Sequence, residues 1–234
     1  MIWNVIICSL ALTSFREANA LYDAGNFAGA AAAFERVEPK TANVNFNLGN
    51  AYFREGKFGA AILSYQRARE HAPRDPDILA NLRFAEQRAR VDMINTPGQP
   101  VKRFIHNVVF SRTTNEWAVY ELVAFWICVL AIGATILFQK VRMAAVVLGG
   151  FVGCAFFCAT SALCLQLYWK RIRPAGIVVS KTEALFAPLA DSTVHFQLPE
   201  GTSVIIQENR GQWLLVERLD GQQGWARAEV VGSL

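Results

Sequence analysis

Two apolar runs stand five residues apart in the middle of this 234-residue chain, and no other feature limits its fold so severely. Residues 117–138, WAVYELVAFWICVLAIGATILF, hold one charge, Glu121, and residues 144–169 hold none. As a helix, the 22 residues of the first run reach about 33 Å, enough to cross the hydrocarbon of a bilayer. The connector QKVRM (139–143) allows only an antiparallel turn, so a transmembrane hairpin is expected. Whichever way such a hairpin inserts, the segments before and after it emerge on the same side.

Details of the runs support helices. Thr113 and Glu116 have the spacing of a capping box ahead of the first run. Glu121 lies about one turn inside that run and reads as an interfacial residue rather than a proton relay. Trp117 and Trp169 fall at the two ends on one side, where amphipathic rings settle. Gly149 and Gly153 form a Gly-x-x-x-Gly step, expected to bring the two helices close.

Orientation is harder to read. The first thirteen residues, MIWNVIICSLALT, are too short to span and resemble the apolar core of a secretory signal, with Ser9 and Ala11 as small cleavage-site residues. No Lys or Arg precedes them, and Ile7 before Cys8 argues against lipoprotein processing. Lys140 and Arg142 lie in the connector, while Lys102, Arg103, Arg112, Lys170, Arg171 and Arg173 flank the other side, so charge counting does not decide. The signal-like start favours export, with both flanking zones in the periplasm.

Residues 14–92 have a different texture, rich in charges and helix formers. From 42 to 75 the chain fits one 34-residue tetratricopeptide (TPR) repeat, with Leu48, Gly49, Tyr52, Ala61, Tyr65, Ala68 and Pro73 at its key positions. Gly49 and Ala61 are small where the two helices of a repeat touch, and Pro73 ends the second helix. A shorter copy starts at Phe15, placing Asn19, Tyr22, Gly25, Phe27, Ala30 and Phe34 on Asn50, Phe53, Gly56, Phe58, Ala61 and Tyr65. A last helix, about 77–91, is expected to cap the solenoid. Asn81 aligns with Asn47, not Asn50, so its 31-residue distance from Asn50 reads as partly accidental. First helices of such repeats line a concave groove, which puts Asn19, Asn50, Phe53 and Arg54 forward as groove residues; the same residues also suit a purely fold-supporting role. Beyond the repeats, 96–116 reads as a linker, its apolar face (Val101, Phe104, Ile105, Val108, Val109) fitting a surface helix or a packed connection.

Residues 176–234 alternate like short strands separated by turns such as PEG (199–201) and DG (220–221). So many short strands in so few residues suggest a small curled barrel. The stretch LPEGTSVIIQENRGQWLLVERLDGQQGWARAEVV resembles the bacterial SH3-like (SH3b) domain, through Trp213, Gly221, Gly224 and Trp225. The resemblance implies binding of peptide, cell wall or protein. Trp213 and Trp225 are groove candidates there, or else fill a very small core.

The residues that do chemistry are dispersed. His71, His106 and His195 fall in three separate zones, and no nucleophile elbow, phosphate loop or metal-ligand spacing occurs. Neither catalysis, nor a metal, nor a cofactor is expected. All five cysteines lie in apolar runs and read as packing residues. The net charge of +4 is spread out rather than gathered in the stripe that nucleic acid needs.

Fold class therefore reads as a multi-domain membrane protein: a signal-like segment (1–13), a TPR solenoid with its cap (14–95), a linker (96–116), a transmembrane hairpin (117–138 and 144–169) and a small all-β SH3-like barrel (176–234). That order, with EANALYDAGNF, NLGNAYFREGKFGAAILSYQRA and DGQQGW, resembles the BatE family of the bacterial aerotolerance operon. The resemblance implies an inner-membrane scaffold, with von Willebrand factor A domain membrane proteins and a MoxR-type ATPase as partners, in envelope stress or oxygen tolerance. A cell-wall sensor that grips peptidoglycan through the SH3-like domain is the competing reading.

Overall fold

The computed structural model describes residues 2–89, 108–137, 140, 142–172 and 174–234; of residues 2–12, 142 and 169–172 it describes the backbone alone. The surface helix expected within 96–116 thus lies mostly outside the described residues. The chain divides into two compact units, one made of Met1–Gly98 with Arg173–Leu234, the other of Gln99–Ile172.

The first unit begins with five helices: α1 (Ile2–Asp23), α2 (Phe27–Arg36), α3 (Ala42–Glu55), α4 (Phe58–His71) and α5 (Pro76–Arg88). Helix α1 runs unbroken through residue 13, where a boundary between signal-like segment and repeat was expected. No Gly or Pro occurs before Gly25 to interrupt it. Gly25 (φ 78°) and Gly56 (φ 83°) end α1 and α3 in the left-handed region, which costs Gly little. Helices α2, α3 and α5 start on side-chain caps. Asn26 Oδ1 accepts from Gly29 N, Thr41 Oγ1 from Val44 N, and Asp75 Oδ1 from the amides of Asp77 and Ile78. Lys40 Nζ donates to the carbonyls of Glu35 (2.5 Å) and Val37 (2.7 Å), which closes the end of α2.

Helix α4 is enclosed almost all round, residues 61–66 all being buried. One face meets α3, where a Cβ on Gly49 would stand 2.6 Å from the Tyr65 ring. Tyr65 is 1 % exposed, and burial of a ring this size contributes about 2–3 kcal/mol. Ser64, buried on the same helix, donates from its hydroxyl back to the Ala60 carbonyl (2.9 Å).

Residues 175–233 form seven antiparallel strands: β1 (Ala175–Val178), β2 (Thr182–Leu185), β3 (Val194–Leu198), β4 (Ser203–Arg210), β5 (Trp213–Arg218), β6 (Gln223–Arg227) and β7 (Val231–Ser233). Their order is β3-β2-β6-β5-β4-β1-β7. Val178, Ala184, Leu198, Val204, Val216 and Ala226 form its core. The sheet does not close by strand pairing into the barrel that was expected. Strands β3 and β7 remain edges, and β2 meets β6 through a single registered pair, Leu185 with Trp225.

This sheet packs on α4 within the same unit. Ile177, 1 % exposed, belongs to the apolar cluster of Ile62, Leu63, Leu82 and Ala85 rather than to the core of the sheet. Gly232 abuts the Leu63 side chain, and Arg67 Nη2 donates to the Ser233 carbonyl (2.7 Å).

The second unit contains α6 (Thr114–Leu137) and α7 (Arg142–Ile172), packed side by side. Each holds a stretch long and apolar enough to cross a membrane, Thr114–Leu137 and Met143–Tyr168, both with mean hydropathy 2.1 and little of their length buried. Large apolar side chains point outward, among them Leu130, Ile136, Phe151 and Phe157. The expected capping box forms: Glu116 N donates to Thr113 Oγ1 (3.2 Å) and Thr113 N to Glu116 Oε2 (2.8 Å).

The contact between α6 and α7 is lined by Ala131, Ala145, Ala159 and Ala162, all buried. Of the expected glycine step, Gly149 faces Ala131, whose Cβ is 3.6 Å from the position a Cβ would take, but Gly153 has nothing within 4 Å. The Gly-x-x-x-Gly step is therefore not the seam. Buried positions 145, 159 and 166 are separated by multiples of seven, Ala162 lies one turn after Ala159 on the same side, and Gly149 follows Ala145 by about one turn. Two polar links cross the seam. Gln166, 3 % exposed, accepts from Thr114 Oγ1 (3.2 Å) and donates to the Arg112 carbonyl (3.1 Å), and Thr160 Oγ1 donates to Glu121 Oε1 (2.9 Å).

Candidate functional site

The first helices of the repeats, α1 and α3, and the following α5 meet around an open cavity of about 220 Å³. Its lining consists of Tyr22, Asn50, Phe53, Arg54, Tyr65, Asn81 and Phe84. Three of the four groove candidates, Asn50, Phe53 and Arg54, are in that lining. Asn19, half-buried on α1, is not; its helix contributes Tyr22 instead, about one turn further on.

Asn50 Oδ1 is the centre of the polar part. It accepts from Tyr65 Oη (2.8 Å) and from Asn81 Nδ2 (3.0 Å), so both lone pairs of the amide oxygen are used. The amide nitrogen of Asn50 has no acceptor among the described residues and is left for the cavity. The Tyr65 phenol has its pKa raised well above the ordinary value, first by burial and then by the nearby Tyr22, the hydrogen bond from Asn81 opposing in part. It stays a neutral donor over any physiological range.

The apolar part is a chain of rings. Phe53 lies 5.5 Å from Phe58 and 5.3 Å from Phe84, centroid to centroid. Phe84 is 47 % exposed and offers a shelf for an incoming side chain. Two guanidiniums sit on the rim, Arg54 4.4 Å above Phe27 and Arg88 5.1 Å above Phe84.

The role of Asn81 corrects the sequence reading. Its alignment with Asn47 is a statement about repeat register, and its distance from Asn50 was read as partly accidental. In space Asn81 is bonded to Asn50, and Phe84 meets Phe53 at the same 31-residue separation. Neighbouring first helices are slipped along their axes by about three residues, roughly 4.5 Å, so contacts recur three short of the 34-residue register. The same slip sets Tyr22 beside Asn50. Tyr22, Asn81 and Phe84 were missed as lining residues, although the repeated spacing was the signal that could have found them.

In the sheet, Trp225 is 7 % exposed with Arg210 over its ring at 4.9 Å, and Trp213, half-buried, has Arg227 over its ring at 5.2 Å. A guanidinium thus lies on one face of each indole. Exposed aromatic surface is found instead at Phe186, stacked on His195 at 4.1 Å.

Comparison with known families supports this geometry: a tetratricopeptide repeat family model fits residues 15–76. The chain is a TPR-containing protein, and such repeats point to protein–protein interaction. No curated protein shows a significant match.

Proposed function

We propose that this chain is a non-enzymatic, membrane-anchored adaptor whose repeat cavity holds a segment of a protein partner. The cavity around Asn50 carries the reading, because it combines open aromatic surface with fixed hydrogen-bond donors and a cation. A peptide suits those needs: its carbonyl or carboxylate oxygens meet the Asn50 amide and Arg54, and an apolar side chain rests on Phe53 and Phe84.

Anchoring rests on α6 and α7. Their outward apolar surface asks for lipid, and a two-helix crossing returns the chain to the side it left. That return agrees with residues before and after the hairpin belonging to one compact unit. We place that unit in the periplasm and the hairpin in a bacterial inner membrane, following the signal-like start and the resemblance to the BatE family. The same resemblance supplies the suggested partners, von Willebrand factor A domain membrane proteins, and the setting of envelope stress or oxygen tolerance. The SH3-like likeness of the sheet remains part of this proposal. Arg210 and Arg227 each cover one face of the Trp225 and Trp213 rings, which narrows the aromatic surface that peptidoglycan binding would use.

Photo-crosslinking in living cells tests the reading. A crosslinking residue at position 53 or 84 should trap a protein partner, whereas one at Glu70, exposed on α4, should not. Equal yields from both faces would sink the groove assignment. Protease treatment of intact spheroplasts should cut both flanking segments; protection of either one overturns the shared periplasmic side.

A further inference from the structure

The hairpin contains one carboxylate that the adaptor reading leaves unused. Glu121 is the only charged residue between Trp117 and Leu137, about 6 Å of helix rise deeper than Trp117. Its side chain is directed at the neighbouring helix, where Thr160 Oγ1 donates to Oε1 at 2.9 Å. That hydroxyl has a single proton, and it also lies 3.0 Å from the Phe156 carbonyl, so the bond to Glu121 is shared. Among the described residues no cation answers the carboxylate. Arg112 is engaged by Glu116 and by the Tyr120 hydroxyl, and Lys140 lies beyond the far end of α6.

Around Glu121 the helix surface is apolar and open, with Leu122 58 %, Phe125 48 % and Trp126 56 % exposed. A carboxylate held by half a hydrogen bond in such surroundings is costly unless a donor reaches it. A second copy of the hairpin has none to give, because residues 117–137 and 143–168 contain no Lys or Arg.

We infer that Glu121 is the docking point for a membrane helix of a different protein, one that presents a Lys or Arg at matching depth. The partner's cation completes the pairing that Thr160 begins, and its apolar flank covers Leu122 and Phe125. This rests on the membrane-spanning reading of α6 and α7, and it adds a recognition element within the bilayer to the cavity outside it.

The test uses the full chain in phosphatidylcholine vesicles and a synthetic Leu/Ala helix of about 20 residues with one Lys at the depth of Glu121. Energy transfer between labelled chain and labelled helix reports association. The Lys helix should bind about tenfold more tightly than the same helix with Leu in place of Lys, and Glu121→Gln should abolish the difference. Equal binding of the two helices overturns the inference, as does a preference that survives Glu121→Gln. Energy transfer between copies of the chain that is lost in Glu121→Gln would also overturn it, by showing self-association. Vesicle flotation is run alongside: a chain that fails to float removes the membrane reading itself, a result distinct from a floating chain that ignores the Lys helix.

Discussion

Gly59, in the first turn of α4, faces the backbone of Val178 in β1 so closely that a Cβ there would stand 2.6 Å from the Val178 carbonyl oxygen. The two residues join the repeat helices to the sheet, and between them only hydrogen fits. With Ile177 buried in the helical cluster and Arg67 bonded to the Ser233 carbonyl, the sheet forms a wall on the outer side of α4. Two repeats and a cap leave much apolar surface open at the limits of a solenoid. Here the sheet covers part of it.

Gly59→Ala should therefore destabilise the chain, although Ala is the better helix former. Overpacking against backbone costs about 1–3 kcal/mol, against a propensity gain of about 1 kcal/mol. Thermal unfolding of the full chain in detergent should show a lower midpoint, and trypsin should cut residues 175–234 sooner than in wild type. An unchanged midpoint with unchanged proteolysis would mean that the close approach is absent in solution.

A double-mutant cycle on Asn50→Ala and Asn81→Ala should give a coupling of about 1 kcal/mol, because one hydrogen bond links the two side chains. Asn19→Ala paired with Asn81→Ala should be additive, since Asn19 is outside the cavity lining. Denaturant midpoints of the single and double variants provide the check.

What could be read from residues alone was whatever depends on short stretches of chain. Gly49 and Tyr65 belong to one repeat, so a family pattern carries their contact. The length of the apolar runs and the spacing of Thr113 and Glu116 are equally local. The approach of Gly59 to Val178 is between distant parts of the chain, and a small residue on a helix does not announce which surface it meets. Asn81 was misplaced for a related reason: register tells which residues are equivalent, but the axial slip between helices decides which ones touch. Gly153 shows the converse, a motif with the right spacing on a face where nothing packs.

Alkaline pH gives a third prediction. An unfolded chain releases the Tyr65 proton near pH 10, whereas the folded chain keeps it to higher pH because the phenol is buried. The stability linked to this group is thus complete below about pH 10 and declines above it, by up to about 1.4 kcal/mol per pH unit. Tyr65→Phe removes that slope but also deprives Asn50 Oδ1 of a donor, at a cost of about 1 kcal/mol. At pH 8 the variant should be the less stable, and the two urea midpoints should converge as pH rises towards 11. Parallel curves would show that Tyr65 ionises normally.

The hairpin seam gives the fourth. Gly149 faces Ala131 at van der Waals distance, whereas Gly153 looks into open space. A Leu at position 149 must push α6 away from α7, and loss of the Ala-lined contact should cost about 1–3 kcal/mol. The same residue at position 153 adds only outward apolar surface. Gly149→Leu should lower the helix-melting midpoint of the chain in detergent micelles, while Gly153→Leu should leave it unchanged or raise it slightly. If both variants lose stability alike, the glycine step is the seam after all and the alanine register is wrong.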